Sequence, residues 1–508
     1  MSRRAALAGL AAFAGAALLP SGVAAHAIGS VYTLPVPRFY YLVGAGLAVA
    51  ASFVVAVLLV RPPSDRPHYP TAALPVALAR IGAIVLQLLG LVWWLGTILI
   101  GYLVDPISPL PAVLLWIGIW VGLPLVAILL GNPWPSLSPF RTLYALLESG
   151  ARLVGVNRLD LGLRYPPVLG RWPAVFLLVA GGFGELVLQD HTVPLMVANL
   201  MIGYTVITLL GMVLFGRVAW LRNVELFEVL LGWFGRIGPL GRRAVAPEVC
   251  DGCSEGCDPE RCIDCQECAA AAESGERRLE LRPWFTGLVE VRVADWSDAG
   301  FIILALATVT YDGLSETAFW ARLTNPFFNA LWDVLGPYPS VLIVQTAGLL
   351  AIWLFFMLAF SVALWATRAL HDPGRRGSPF GQAAGIYAST LLPIAGGYFI
   401  AHYLTVVLQS AVWLPQLVAD PLNDIAPTLD WLPASAIWYL SVGAIVLGHV
   451  VAVVLAHRLA LRDARLRPIV AGLPLVALMV AYTILSLWII AQPLTLEPGT
   501  VPAAFVAP

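Results

Sequence analysis

Residues 81–103 read IGAIVLQLLGLVWWLGTILIGYL, without a single charged side chain. As a helix, this segment is long enough to cross a hydrocarbon layer of roughly 30 Å. Apolar runs of similar length recur between residues 41 and 491. In lipid, every backbone polar group must be bonded within the protein, and a helix achieves this within one segment. The sequence therefore predicts an all-α fold, a polytopic transmembrane helical bundle.

The composition of the chain agrees with this prediction. Of the 508 residues, 59% are hydrophobic and 12% are charged, whereas a soluble domain carries roughly 25% charged residues. The net charge is −1, and the basic residues are all Arg. The sequence shows no basic face of the kind that follows nucleic-acid phosphates. Nucleic acid is therefore excluded as a partner, and the lipid bilayer is the expected one.

The N-terminal segment has the features of a targeting signal. Arg3 and Arg4 precede an apolar stretch, and either Val23-Ala24-Ala25 or Ala25-His26-Ala27 offers a small-residue cleavage site. We predict a signal peptide over residues 1–25, with a retained anchor helix as the alternative.

Ten transmembrane helices are predicted after this signal. Five lie in residues 41–216 and five in residues 298–491, and residues 217–297 form a long loop between them. Arg residues gather in alternate loops, which the positive-inside rule makes cytoplasmic. We expect a multi-pass protein of the cell membrane whose mature N-terminus and C-terminus lie outside. The predicted spans are 41–60, 80–104, 111–130, 172–188, 194–216, 298–316, 339–366, 383–409, 435–457 and 469–491.

The cytoplasmic loop begins with a predicted helix at residues 223–234. This segment is apolar enough on one side to lie in the membrane interface. A helix packed under the bundle is the alternative.

Six cysteines follow within nineteen residues of this loop. Thiols on the reducing side of a membrane rarely form structural disulfides, so the segment predicts a metal site. The C-x2-C spacing suits zinc, whereas the final C-x2-C-x2-C run is typical of three ligands of an iron–sulfur cluster. Both metals, and a redox-active cluster without metal, remain open. The candidate ligands are Cys250, Cys253, Cys257, Cys262, Cys265 and Cys268.

Ionisable residues within the predicted spans coincide in depth near the outer face. Glu185 and His191 lie at the outer end of span four, Asp312 lies at that of span six, and His402 lies in the outer half of span eight. Such groups are costly in lipid and usually functional. An outward polar pocket would bind a second metal ion, relay protons or line a substrate path. Hydrogen bonds to neighbouring helices are the structural alternative.

Span nine carries two further histidines, His449 near mid-membrane and His457 at the inner end. Their spacing places them about 12 Å apart along the helix, on faces about 80° apart. That separation is too large for both to bind one ion.

Several segments resemble a known family. They are Leu34–Arg38, Gly131–Trp134, Phe227–Pro239, Asp312–Ser315, Leu392–Tyr403 and Gly448–His457. These segments are similar to those of polytopic membrane proteins known as fenitrothion hydrolases, and the resemblance covers most of the chain after the signal region. It implies a membrane-bound enzyme that hydrolyses lipophilic organophosphate triesters, a reaction that needs an activated water. Only Glu185, His191, Asp312 and His402 offer catalytic groups for it, and the cysteine segment departs from the family pattern.

Three classes of function therefore stay open. The first is a hydrolytic enzyme with the outward pocket as its site. The second is a transporter or metal-handling protein that binds its cargo in the same pocket. The third is a redox subunit with a cytoplasmic iron–sulfur cluster, which would act with a partner subunit. The sequence contains no phosphate-cradling glycine loop and no nucleophile elbow.

Overall fold

The computed structural model describes residues 38–60, 69–244, 277–289, 291, 294–371, 379–464 and 467–491. The predicted signal peptide and all six cysteines lie outside these residues, so both assignments stay predictions. The described chain is all-α, as predicted, apart from three short strands. A helix lies at each of the ten positions predicted for a span.

The helices, numbered here in chain order, alternate in direction through most of the bundle. They are α1 (Arg38–Leu59), α2 (Val76–Leu103), α3 (Leu110–Leu129), α4 (Trp134–Leu137), α5 (Pro139–Leu153), α6 (Trp172–Leu186), α7 (Pro194–Phe215), α8 (Arg217–Asn223), α9 (Leu226–Phe234), α10 (Thr286–Val289), α11 (Trp296–Ser315), α12 (Ala318–Leu335), α13 (Pro337–Ala369), α14 (Phe380–Ala388), α15 (Leu392–Ala419), α16 (Ala434–Asp463) and α17 (Pro468–Ile490).

Seven helical segments of the described chain are long and apolar enough to cross a membrane. They are Val76–Leu103, Leu110–Leu129, Pro194–Phe215, Pro337–Ala369, Phe380–Ala419, Ser435–Asp463 and Pro468–Ile489. Val43–Leu59 and Trp172–Leu186 are shorter apolar helices. Helix α11 carries two acidic residues, Asp298 and Asp312, and is not among the seven. The seven segments indicate a lipid environment, and the count of ten spans stays a prediction.

The two ends of the bundle are distinguished by their loops. The end that carries loops 104–109 and 420–433 is called the upper end. The two loops are in contact there, since the Ser108 hydroxyl donates to the Pro421 carbonyl over 2.6 Å. The lower end carries the connection from α16 to α17. Helix α11 runs from the lower to the upper end.

Helix α11 is the central helix, and almost all of its residues are buried. It starts at a capping box, in which the Asp295 side chain accepts from the Ser297 and Asp298 amides. Arg171 forms an ion pair with the buried Asp298 carboxylate at this lower end. Because the helix packs against α6, α13, α14 and α15, its polar residues face protein.

Two of the membrane-length segments are interrupted. Residues Val113–Gly122 of α3 are π-helical, and the 3₁₀ turn Ser389–Leu391 separates α14 from α15. Such irregularities are frequent at functional sites.

Small residues allow α15 and α16 to pack closely, in antiparallel directions. A Cβ atom added at Gly397 would lie 2.4 Å from the Ala444 carbonyl oxygen, and one added at Gly448 would lie 2.2 Å from that of Pro393. Only glycine permits such close backbone contact, as is common between membrane helices. These contacts fix the register of α16 on α15.

The long loop contributes a buried helix and a small sheet. Helix α9 is buried on almost every side, which favours a helix packed under the bundle over one in the membrane interface. Strand β3 (Arg277–Leu281) pairs antiparallel with β1 (Ala72–Ala73) on one edge and with β2 (Leu240–Ala244) on the other.

Candidate functional site

The site is built on the carboxylate of Asp312, near the upper end of α11. Its Oδ2 atom accepts hydrogen bonds from His402 Nε2 at 2.9 Å and from the Tyr403 hydroxyl at 2.6 Å. Both donors lie on α15. The side chains of Asp312 and His402 are 15% and 20% exposed, so the cluster is enclosed but accessible.

Gly313 allows the two helices to approach closely enough for these bonds. A Cβ atom at this position would lie 2.9 Å from the Tyr398 hydroxyl, 3.2 Å from Ile489 Cγ2 and 3.5 Å from His402 Cε1. The Tyr398 and His402 rings are nearly parallel, with centroids 6.1 Å apart. The Asp312-Gly313 pair therefore supplies both the acceptor and the space.

Glu185 lies beside this cluster, at the upper end of α6. Its Oε2 atom accepts a hydrogen bond from the Trp120 indole, on the π-helical segment of α3. Glu185 interacts electrostatically with Asp312 and Tyr403. The structure thus brings together three of the four residues predicted for the pocket: Glu185, Asp312 and His402.

His191, the fourth predicted residue, does not join them. Its Nδ1 lies 2.6 Å from the Leu188 carbonyl, and its own carbonyl accepts from the Trp116 indole at 2.8 Å. In the described part of the chain, it has no hydrogen bond to Glu185, Asp312 or His402. Its nearest link to them is the contact between Trp116 and Trp120, whose ring centroids are 6.1 Å apart.

A metal ion was one expectation for this pocket. Among the described residues, no group of three or more His, Cys, Asp or Glu side chains converges in a way that could hold one. His402 Nε2 and Asp312 Oδ2 bond to each other. A metal ion at this pocket stays a prediction, and the cysteine segment lies outside the described residues.

The sequence did not predict roles for two buried acids at the start of α9, Glu225 and Glu228. The Glu225 carboxylate accepts from the Tyr204 hydroxyl at 2.5 Å and from the Trp134 indole at 2.8 Å, and Glu228 pairs with Arg141 at 2.9 Å. Burial, and then the charge of Glu228, raise the pKa of Glu225 to about 7. Two acids three residues apart in an apolar run were the signal that could have revealed them.

A second polar cluster lies at the lower end of the bundle. The Tyr387 hydroxyl donates to Asp463 Oδ2 at 3.2 Å and lies 3.3 Å from His371 Nε2. Arg462 pairs with the same carboxylate through two bonds of 2.7 and 2.8 Å. The side chains of His371, Tyr387 and Asp463 are all buried.

No protein family matches this chain, and neither does any curated protein or solved structure. The fold and the site define a helical bundle with membrane-length apolar segments and a partly buried Asp–His–Tyr cluster.

Proposed function

We propose that this protein is a membrane transporter that carries protons across the bilayer, with a proton-binding site formed by Asp312, His402 and Tyr403. The observation that carries the proposal is the Asp312 carboxylate near the upper end of the central helix, which accepts two hydrogen bonds from α15. Ionisable groups within membrane helices are costly, and proteins use them for proton relays and substrate paths.

The chemistry of His402 supports proton exchange at this site. Its Nε2–H is held by Asp312, which stabilises the imidazolium form. Its Nδ1 has no hydrogen-bond partner among the described residues. A proton can therefore bind and leave at Nδ1 while Asp312 keeps the ring oriented.

The interrupted helices around the site also favour transport. Trp120, which bonds to Glu185, lies on the π-helical segment Val113–Gly122. Helix α11 ends at Ser315, and only two residues separate it from α12, which begins at Ala318. Many transporters bind substrate where helices are discontinuous, because backbone groups and irregular turns there can rearrange.

The sidedness that we propose follows the charges of the loops. Arg residues such as Arg158 and Arg171 lie at the lower end, whereas Asp105 and Asp420 lie in the upper loops. Arg322 is an exception at the upper end. The positive-inside rule then makes the lower end cytoplasmic and the Asp312 site accessible from outside, in a cell-membrane protein of ten spans.

Proton flux into proteoliposomes tests this function without knowledge of the substrate. Protein is reconstituted with a pH-sensitive dye inside, and a potassium diffusion potential drives protons inward. We expect the wild type to acidify the lumen, and Asp312→Asn to lower the rate by about tenfold or more, because the amide cannot exchange protons. A wild-type rate equal to that of empty vesicles would rule out the proposal.

Hydrolysis of a lipophilic organophosphate triester, which the family resemblance implies, is the second candidate. The pairing of His402 with Asp312 favours it, because a carboxylate that orients an imidazole is also the arrangement of a general base. Turnover of a chromogenic phosphotriester by purified protein, abolished by His402→Gln, would support this candidate over transport.

For the cysteine segment we propose a cytoplasmic metal site holding zinc or an iron–sulfur cluster. The support is the spacing of its thiols. Elemental analysis of the purified protein distinguishes the two metals. An electron paramagnetic resonance signal on reduction would favour an iron–sulfur cluster and a redox subunit that acts with a partner subunit. Iron and zinc contents that are both at background would exclude the metal site.

A further inference from the structure

His449 is a buried imidazole that the site described above does not use. It is 0% exposed. Its Nδ1 lies 2.8 Å from the Ile445 carbonyl, which can only accept, so Nδ1 carries the hydrogen. The other ring nitrogen, Nε2, is a buried acceptor without a hydrogen-bond partner among the described residues. Leaving such an atom unpaired costs its full desolvation penalty, so its presence requires an explanation.

The register of α16 on α15 places His449 below the Asp312 site. The Ser441 hydroxyl donates to the Ala401 carbonyl over 3.1 Å, so Ser441 lies at the depth of His402. His449 follows eight residues later on a helix that runs downwards, which places it about 12 Å lower. The glycine before it packs on Pro393, so His449 lies in the middle of the bundle.

A small pocket lies below His449, where α16 meets α10, α14 and the 3₁₀ turn Ser389–Leu391. It has a volume of about 30 Å³. Its lining is mostly apolar and includes Leu455 and Leu459, and its polar side chains are Ser389, Thr390 and Arg458. A water molecule needs about 10–15 Å³ of such volume, so the pocket has room for water. Leu455 follows His449 by six residues, about 9 Å along the helix.

The polar cluster at the lower end follows this pocket. Asp463 lies four residues after Leu459 on α16, one helical turn further down, and it accepts from Tyr387. The order from top to bottom is therefore the Asp312 site, His449, the Ser389–Thr390 pocket, and the Asp463 cluster.

We propose that His449 carries protons between the Asp312 site and the lower end of the bundle, an inference that rests on the proposed function. A proton reaches Nε2 through bridging water, binds to its lone pair and gives an imidazolium. The same N–H bond then breaks towards a second bridging water, which restores the neutral ring and passes the proton down to water in the Ser389–Thr390 pocket. Only a proton moves, and no ion pair or side-chain hydrogen bond from a described residue holds it at His449.

His457 provides a matched control on the same helix. It is also buried, and its Nδ1 has no partner among the described residues. Its ring packs edge-on against Phe53 of α1, with centroids 5.6 Å apart. Since it faces α1, about 80° around the helix from His449, it lies off the route.

The test is potential-driven proton flux into proteoliposomes containing the full chain. We expect His449→Phe and the nearly isosteric His449→Gln to reduce the wild-type rate by about tenfold or more, because neither side chain can take up a proton. His457→Phe should stay within about twofold of the wild type. If the phenylalanine variant does not assemble, the glutamine variant decides.

The outcomes separate this inference from the proposed function. If Asp312→Asn abolishes flux but both His449 variants conduct like the wild type, the transporter stands and the route is wrong. Equal losses in the His457 and His449 variants would also overturn the route, because they would show a general effect on the bundle. If the wild type itself conducts no protons, the proposed function fails, and this inference with it.

Discussion

Asp312 and His402 are 90 residues apart in sequence, yet their side chains are joined by a 2.9 Å hydrogen bond between two helices. The bond depends on Gly313, where the added Cβ atom would approach His402 to 3.5 Å and Tyr398 to 2.9 Å. The hydrogen bond between Asp312 and His402 therefore depends on the close packing of α11 on α15. A substitution that separates the two helices should weaken this bond.

Gly313→Ala should lower the rate of proton flux while the protein stays folded. The new methyl group forces α15 away from α11 by a few tenths of an ångström, which weakens hydrogen bonds that fall off steeply with geometry. We expect a loss of flux of about tenfold. Gly443→Ala on α16 is the control, because nothing lies within 4 Å of its added Cβ. A Gly313→Ala variant with wild-type flux would show that the close approach is dispensable.

Tyr403→Phe should destabilise the protein by about 1.5–3 kcal/mol, the usual contribution of a hydrogen bond to a charged group. The ring would keep its contact with Phe399, so the lost bond to Asp312 is the main change. Tyr482→Phe removes a longer bond, of 3.4 Å, to the Phe356 carbonyl and should cost much less. The measurement is denaturant unfolding of the detergent-solubilised protein, and equal losses in both variants would contradict the charge-assisted bond.

Arg171→Gln alone should lower the free energy of unfolding more than the double variant Arg171→Gln/Asp298→Asn does. The single change leaves the Asp298 carboxylate, 6% exposed, without its ion-pair partner, a loss that typically costs about 3–5 kcal/mol. Removing the charge as well should restore more than half of the stability. Arg158→Gln, which breaks an ion pair with Asp160 at the surface, should have a much smaller effect. Additive losses in the double variant would argue against a buried pair.

The fold class could be predicted because the length of an apolar segment is a local property of the sequence. Residues 81–103 lie within the helix Val76–Leu103, and the depths of Asp312 and His402 could be counted along their helices. His191 could not be placed in this way, because the 187–193 loop turns its ring onto Leu188. Loops lack the periodicity that orients side chains on helices.

Other features were hidden because they depend on partners distant in sequence. The indole of Trp120 bonds to Glu185 across 65 residues, and an apolar π-helical run has the same composition as an α-helical one. Strands β2 and β3 are separated by a long insertion and gave no alternating pattern of their own. The unpaired nitrogen of His449 likewise follows from packing, whereas its position in the helix was evident from the sequence.

Glu225 should make the stability of the protein depend on pH. Its pKa rises from 4.5 to about 7 in the folded protein, first because it is buried and second because Glu228 is near. The folded state therefore binds this proton more tightly than the unfolded state. The resulting contribution to stability is fully present below pH 4.5, the pKa of the unfolded protein's Glu225, and is lost as the pH rises through about 7, its pKa in the folded protein. We expect the denaturant concentration at the unfolding midpoint of the wild type to decrease as the pH is raised from about 5 to about 8. Glu225→Gln should flatten this slope, and Glu148→Gln, whose partner Arg217 lies 3.9 Å away on the surface, should not. An unchanged slope in Glu225→Gln would show that another group carries the dependence.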